Sequence, residues 1–321
     1  MRKKTKSFIM ISLLAALCVS LSGCESKETK ETKGYYRQYG INCMEEGKYD
    51  EALEAFQKAL DLSVGKVGET ELDICFYKAE ALYKNGDVTG AVEVYDAIID
   101  YNEDPQAYYL RGCLYFGQGQ SEQGIKDLST AAHKADKDYD LYIGIYQTLK
   151  AYGMEEDGLK YLNEALNFKG EKAYDNMQKG RITYLMGDNE GAVELLKKAV
   201  DGKEQKAYYY LSEVYDTMGD TQAADASFQS YLDSGLADSI DLYETGVRCM
   251  EKENYDDAVK YLKAALELEE VPNRQFVMQK LIYAYEYVQD FQQAKVMMEE
   301  YKQLYPEDTS MDKEFVFLET R

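Results

Sequence analysis

An all-α fold built from repeated helix pairs is what this 321-residue sequence predicts, and three observations carry it. A stripe of apolar residues at i, i+4 and i+7, which is one face of a helix, recurs at near-constant spacing along the chain. A glycine stands five residues before most of these stripes, where a chain leaving one helix needs a positive φ to turn into the next. Only three prolines occur, and alternating β-branched runs are scarce. With 45% hydrophobic residues the chain has enough apolar surface to fold, and its 31 tyrosines fall into the same period.

The N-terminal segment stands outside that period. Arg2, Lys3, Lys4 and Lys6 precede an apolar run from Phe8 to Leu21 that is too short, and wrongly flanked, for an ordinary membrane-spanning helix. It closes in Leu21-Ser22-Gly23-Cys24, so residues 1–23 are expected to be a leader. Residues 24–33 follow, polar, mixed in charge and free of aromatics, and are expected to form a flexible tether. Removing the leader takes away four cations and no acid, which moves the net charge from −22 to −26. Such a surface repels phosphate backbones and anionic lipid headgroups, so nucleic acid is disfavoured as a partner and the protein is expected to stand off the membrane rather than lie on it.

Ala52 opens the first stripe, and its equivalents are Ala91, Gly124, Gly158, Ala192, Ala224, Ala258 and Ala294. Four residues further on lie Phe56, Tyr95, Leu128, Leu162, Leu196, Phe228, Leu262 and Met298. The third position is Ala59, Ile98, Ala131, Ala165, Ala199, Tyr231, Ala265 or Tyr301. The preceding turn glycines are Gly47, Gly86, Gly119, Gly153, Gly187 and Gly219, with Glu253 and Gln289 in the last two units. Upstream of each turn a second amphipathic stretch carries a small residue, for instance Gly40, Ala79, Gly112, Gly180, Ser212 or Gly246, where another helix could approach closely. Tyr146 and Ile282 depart from that rule. The pattern covers residues 34–306 as eight units, with a longer connection at Ser63–Leu72. Residues 307–321, holding Phe315, Phe317 and Leu318, are expected to supply a capping helix.

These slots resemble the tetratricopeptide repeat, a 34-residue helix–turn–helix with A-x-x-x-F-x-x-A in its second helix. The resemblance implies an α-solenoid, a right-handed superhelix in which each unit buries its apolar faces only against its neighbours. The Leu21–Cys24 tetrapeptide resembles the lipobox of bacterial lipoproteins. That implies cleavage before Cys24, which is diacylated and becomes the mature N-terminus, and attachment to the extracytoplasmic face of a membrane. The residues also allow a plain secretory leader that happens to end near a cysteine, or an uncleaved anchor.

Catalytic chemistry finds no constellation here. His133 is the only histidine, and no zinc, nucleophile-elbow or phosphate-loop motif occurs. Asp136, Asp138 and Asp140 imitate the start of a calcium loop, but Leu141 and Gln147 stand where glycine and glutamate are needed. They read as helix-junction residues, one of them a cap. Cys43, Cys75, Cys113 and Cys249 show no metal or redox spacing and are expected to be buried free thiols on separate helices. No enzyme activity, cofactor or metal is expected.

What remains is the concave face that the family resemblance implies. First-helix positions of that face correspond to Phe76, Tyr83, Tyr109, Phe116, Tyr184, Tyr209, Tyr243, Tyr283 and Tyr287, with Arg37, Lys150 and Arg181 as scattered cations. An aromatic lining of this kind suits an extended peptide or protein segment. Each position could instead be packing between helices, and the sequence leaves both readings open. The function expected is a lipid-anchored scaffold or adaptor for a protein or peptide partner. The alternative is a lipoprotein that binds a cell-wall or exopolysaccharide glycan, since tyrosine faces also stack on sugars.

Overall fold

A computed structural model describes residues 26–63, 67–268, 271, 274–306 and 308–321; the leader and Cys24 lie outside them. Among the described residues every regular element is an α-helix, seventeen in all, and there is no strand. The first pairs are α1 (Lys27–Glu45) with α2 (Tyr49–Asp61) and α3 (Glu69–Lys84) with α4 (Val88–Asn102). Next come α5 (Pro105–Gly117) with α6 (Ser121–Lys134) and α7 (Tyr139–Ala151) with α8 (Glu155–Leu166). They are followed by α9 (Ala173–Leu185) with α10 (Asn189–Asp201) and α11 (Ala207–Met218) with α12 (Thr221–Asp233). The last are α13 (Ser239–Glu251) with α14 (Tyr255–Leu266), α15 (Arg274–Tyr287) with α16 (Phe291–Leu304), and the single helix α17 (Asp312–Glu319). The helices gather into two compact units divided after Leu114, within α5.

In each unit the second-helix stripe is the core. All three stripe positions are buried in every pair, from Ala52, Phe56 and Ala59 to Ala294, Met298 and Tyr301. In the N-terminal unit Phe56 meets Cys43, Met44 and Ile74, while Tyr95 and Ile98 meet Ala79 and Ala107. In the C-terminal unit Leu196 packs with Met177, Leu211 and Val214, and Leu262 belongs to the larger cluster that runs from Tyr209 to Leu318. Burying a leucine or phenylalanine side chain of this kind contributes about 1.5–3 kcal/mol.

The turns follow the glycine rule and then outlast it. Gly47, Gly86, Gly119, Gly153, Gly187 and Gly219 all have positive φ, and so do Glu253 (60°) and Gln289 (63°), which stand in the same turn without glycine's freedom. The next residue often caps the second helix: Asp87, Asp188, Asp220 and Asp290 accept from backbone N–H groups three residues on, at 2.9–3.1 Å. The small first-helix slots are equally strict. A Cβ on Gly40, Gly180 or Gly246 would come within 2.5, 2.7 and 2.6 Å of Phe56, Leu196 and Leu262, the central stripe residue of the partner helix.

Three expectations need correction. Lys27–Lys33 is helix rather than tether, because Ser26 caps α1 (Thr29 N to Ser26 Oγ, 3.0 Å) and Lys33, buried, pairs with Glu71 on α3. That Glu71 also accepts from Gly68 N at 2.8 Å and Ser63 Oγ at 2.9 Å, which shortens the connection expected at Ser63–Leu72. Burial alone would raise the Glu71 carboxyl, but the hydrogen bonds from Lys33, Gly68 and Ser63 outweigh it and hold it below its ordinary range. Of the four cysteines only Cys43 is buried; Cys75, Cys113 and Cys249 are half-buried, since they flank the helix contacts rather than centre them. Among the described residues the four are not joined in disulfides, and desolvation pushes the Cys75 and Cys249 thiols up to about 11.

Candidate functional site

The first helices carry the candidate residues, and the structure divides them sharply. Two of the aromatics belong to the core. Phe116 is 2% exposed and stacks on Tyr152 at 4.9 Å, and Tyr209, also 2% exposed, packs on Tyr231 at 5.5 Å while its hydroxyl donates to Glu244 at 2.8 Å. Neither is available to a partner. Both rings sit where two helix pairs meet, and the slot that family geometry points inward is filled there by the neighbouring pair.

Phe76, Tyr109, Tyr184, Tyr243 and Tyr283 are half-buried. Phe76 leans on Tyr95 (6.1 Å), Tyr184 shares a 2.8 Å hydrogen bond with Thr217 of α11, and the Tyr283 hydroxyl points at the Met311 sulfur (3.4 Å). Tyr83 and Tyr287 are open, at 54% and 60% exposure, and Tyr287 lies flat on Tyr255 with 4.3 Å between ring centroids and 5° between planes.

The cations are not free charges. Arg37 Nε contacts Asp73 Oδ2 at 2.5 Å across α1 and α3, and its guanidinium lies 5.1 Å from the Tyr77 ring. Arg181 reaches from α9 to Asp140 of α7 at 2.5 Å and covers Tyr210 at 4.6 Å. Lys150 is bound by Glu155 (2.7 Å) and the Tyr146 hydroxyl (3.1 Å). The same bridge recurs between α11 and α13, where Arg248 meets Glu213 at 2.5 Å and Lys252 meets Asp216. Burial lifts the Glu213 carboxyl above its ordinary range even with Arg248 beside it.

The Arg37–Asp73, Arg181–Asp140 and Arg248–Glu213 bridges thus join the first helix of one pair to the first helix of the next, whereas Lys150–Glu155 lies within a pair. The acids Asp73 and Glu213 escape the sequence reading, and Asp140 reads there as a helix-junction residue rather than as the partner of Arg181, although a signal is present. Arg37 and Asp73, like Glu213 and Arg248, lie about one repeat apart in sequence with opposite charge. The arrangement pairs the cations Arg37, Lys150 and Arg181 with acids, and leaves the rings of Tyr83 and Tyr287 open.

The other polar clusters are structural. Asp138 caps α7 through Leu141 N at 3.0 Å, and Asp140 is spent on Arg181. No group of three or more potential metal ligands exists among the described residues. A cleft of about 300 Å³ between α6, α7 and α8 is lined by Ile125, Leu128, Leu149 and Met154, with His133 exposed at its edge.

Paired helices, several with a glycine on one helix against a large side chain on the other, and first helices bridged from pair to pair, define a helical-repeat solenoid. The chain belongs to the tetratricopeptide-repeat family. Tetratricopeptide family models match residues 44–112, 105–132 and 206–234, and the family described as outer membrane lipoprotein (YfiO) matches residues 237–319.

The photosystem I assembly protein Ycf3 of Cyanophora paradoxa is 36% identical over 110 residues, which are 33% of this chain and 61% of that protein. Ycf3 of a Synechococcus strain is 32% identical over 127 residues, 38% of this chain and 68% of its own. The chain spans between 37% and 61% of the length of the first curated relatives it matches. Among solved structures, a tetratricopeptide repeat protein from Parabacteroides merdae aligns over 79% of this chain and 99% of its own, at 11% identity and a TM-score of 0.47.

Proposed function

We propose that this protein is a lipid-anchored, extracytoplasmic scaffold that holds a protein or peptide partner on the aromatic faces of its first helices, without catalysis of its own. The observation that carries the reading is the division just described: the first-helix cations Arg37, Lys150 and Arg181 are paired with acids, while Tyr83 and Tyr287 stand open. Tyrosine offers a partner rigid apolar area and a hydroxyl at modest entropic cost. The anchor is supported by the lipobox-like Leu21–Cys24 and by the match of residues 237–319 to an outer membrane lipoprotein family. An assembly role is supported by the likeness to Ycf3, which is named for assembling a complex. The segments 1–23 and 24–26 would then be leader and anchor, and the repeats the working domain.

The test places a photo-crosslinking amino acid at Tyr83 or Tyr287 in intact cells, with Tyr101, on the second helix α4, as control. The same protein adduct from Tyr83 and Tyr287, absent from Tyr101, supports the scaffold. Adducts that are equally strong from Tyr101, or glycan adducts only, overturn it. Cys24→Ala checks the anchor: unchanged membrane fractionation and an unchanged processed mass would remove it.

A further inference from the structure

We propose that the exposed face of α1 is a membrane-contacting surface, on which Tyr35 and Tyr39 settle among the lipid headgroups beside the acylated Cys24. The inference rests on the lipid-anchored reading and adds how the anchored protein sits. Four observations lead to it.

The first is the missing slack. Only Glu25 and Ser26 separate Cys24 from Lys27, the first residue of α1, and Ser26 is already its cap. Two residues span at most about 7 Å, and Tyr35 lies roughly 12 Å further along the helix. The headgroup region of one leaflet is itself some 5–8 Å deep.

Second, α1 cannot swing away from the rest of its unit. Lys33 pairs with Glu71, Arg37 with Asp73, and Gly40 sits against Phe56 with no room for a Cβ. The acyl chains therefore hold the whole first helix pair at the lipid surface, not a loose string.

Third, the exposed side of α1 carries an aromatic pair, whose Tyr39 hydroxyl donates to Glu51 of α2 at 3.2 Å. Tyr35 is 63% and Tyr39 42% exposed, and their rings stack with centroids 6.2 Å apart and planes at 9°. Tyrosine is favoured at the membrane–water interface, where its ring is sheltered and its hydroxyl stays wet.

Fourth, this segment is nearly neutral in a strongly acidic chain. Residues 25–42 hold four cations against three carboxylates, and Lys27 lies 3.6 Å from Glu31 on the exposed face. Elsewhere the chain's acidity would be repelled by anionic lipid.

The sequence contains no tryptophan, so Tyr35→Trp creates a single reporter. Tyr83→Trp, at the far end of α3, serves as the control. Each variant is isolated in its lipidated form, verified by intact mass. It is then inserted into phosphatidylethanolamine vesicles with or without phosphatidylcholine carrying brominated acyl chains.

The proposal expects Trp at 35 to emit at shorter wavelength on insertion and to lose most of its emission to the bromines, while Trp at 83 keeps its own. A Gly–Ser linker of roughly ten residues placed between Glu25 and Ser26 should restore much of the emission at 35. A vesicle-bound, lipidated protein whose Trp at 35 is unquenched overturns the contact and leaves the scaffold reading standing. A mass without lipid overturns the anchor itself.

Discussion

The ring of Tyr146 on α7 lies 3.0 Å from where a Cβ on Gly158 of α8 would stand. In the pairs α1–α2, α9–α10 and α13–α14 the glycine is on the first helix and the large side chain on the second. Here the two have changed places. The volume shared between the helices is conserved, so the departure of Tyr146 from the small-residue rule costs the fold nothing as long as Gly158 accompanies it.

Substitution of glycines by alanine should therefore split by place. Gly34→Ala, on the exposed side of α1 with nothing within 4 Å, should stabilise by about 0.5–1 kcal/mol through helix propensity. Gly180→Ala gains the same propensity but drives a methyl to 2.7 Å from Leu196, and overpacking of that kind costs about 1–3 kcal/mol. Denaturant midpoints of the two variants should move in opposite directions. A stabilised Gly180→Ala would mean that α9 and α10 are not in this close contact.

Glu253 and Gln289 hold a left-handed conformation that costs an L-residue roughly 1–2 kcal/mol. Glu253→Gly and Gln289→Gly should each recover part of that, about 0.5–1 kcal/mol after the entropy cost of a glycine in the unfolded chain. Thermal melts that fall instead would show the turn to be held by side-chain contacts.

Glu286 on α15 should make the C-terminal helix α17 sensitive to pH. Its Oε1 is buried with no donor, and desolvation, with Glu314 of α17 beside it, pushes the carboxyl up to about 8. Two carboxylates can share a hydrogen bond only if one keeps its proton. The phenol of Tyr283 faces the same pair and brings no positive charge. The folded value lies above the unfolded one, so the contribution is complete below about pH 4.3 and is lost as pH rises towards 8. Hydrogen exchange in α17 should accelerate over that window, and Glu286→Gln should flatten the profile. An exchange rate that follows only the intrinsic chemistry with pH would refute the coupling.

Tyr209 and Tyr287 should separate core from surface. Tyr209→Ala removes a buried ring and leaves Glu244 without its donor, which should cost about 3–5 kcal/mol of folding stability. Tyr287→Ala should shift the melt far less, because its ring is open and loses only its stack on Tyr255. Partner capture should fall with Tyr287→Ala at unchanged folded fraction. Equal melting shifts in the two variants would contradict the assignment.

Periodicity alone determined the helix pairs, their turns and the buried stripe, because a helix shows its buried face in the order of its residues. Ala52, Phe56 and Ala59 need no coordinates to be recognised as one face. The turn positions of Glu253 and Gln289 were likewise fixed by spacing, even with the glycine missing. What lies between repeats was decided only by the tertiary structure.

Tyr209 and Tyr83 have the same residue type on the same class of helix, yet one is core and the other open, since the neighbouring pair covers only the first. Arg37 and Arg181 looked like free cations until Asp73 and Asp140 were brought to 2.5 Å from them. Lys33, read as part of a polar tether, became helix because Glu71, 38 residues away, buries with it. Such outcomes depend on which side chains from a different repeat arrive at the same place. That information is spread over residues one repeat apart and is absent from any single helix.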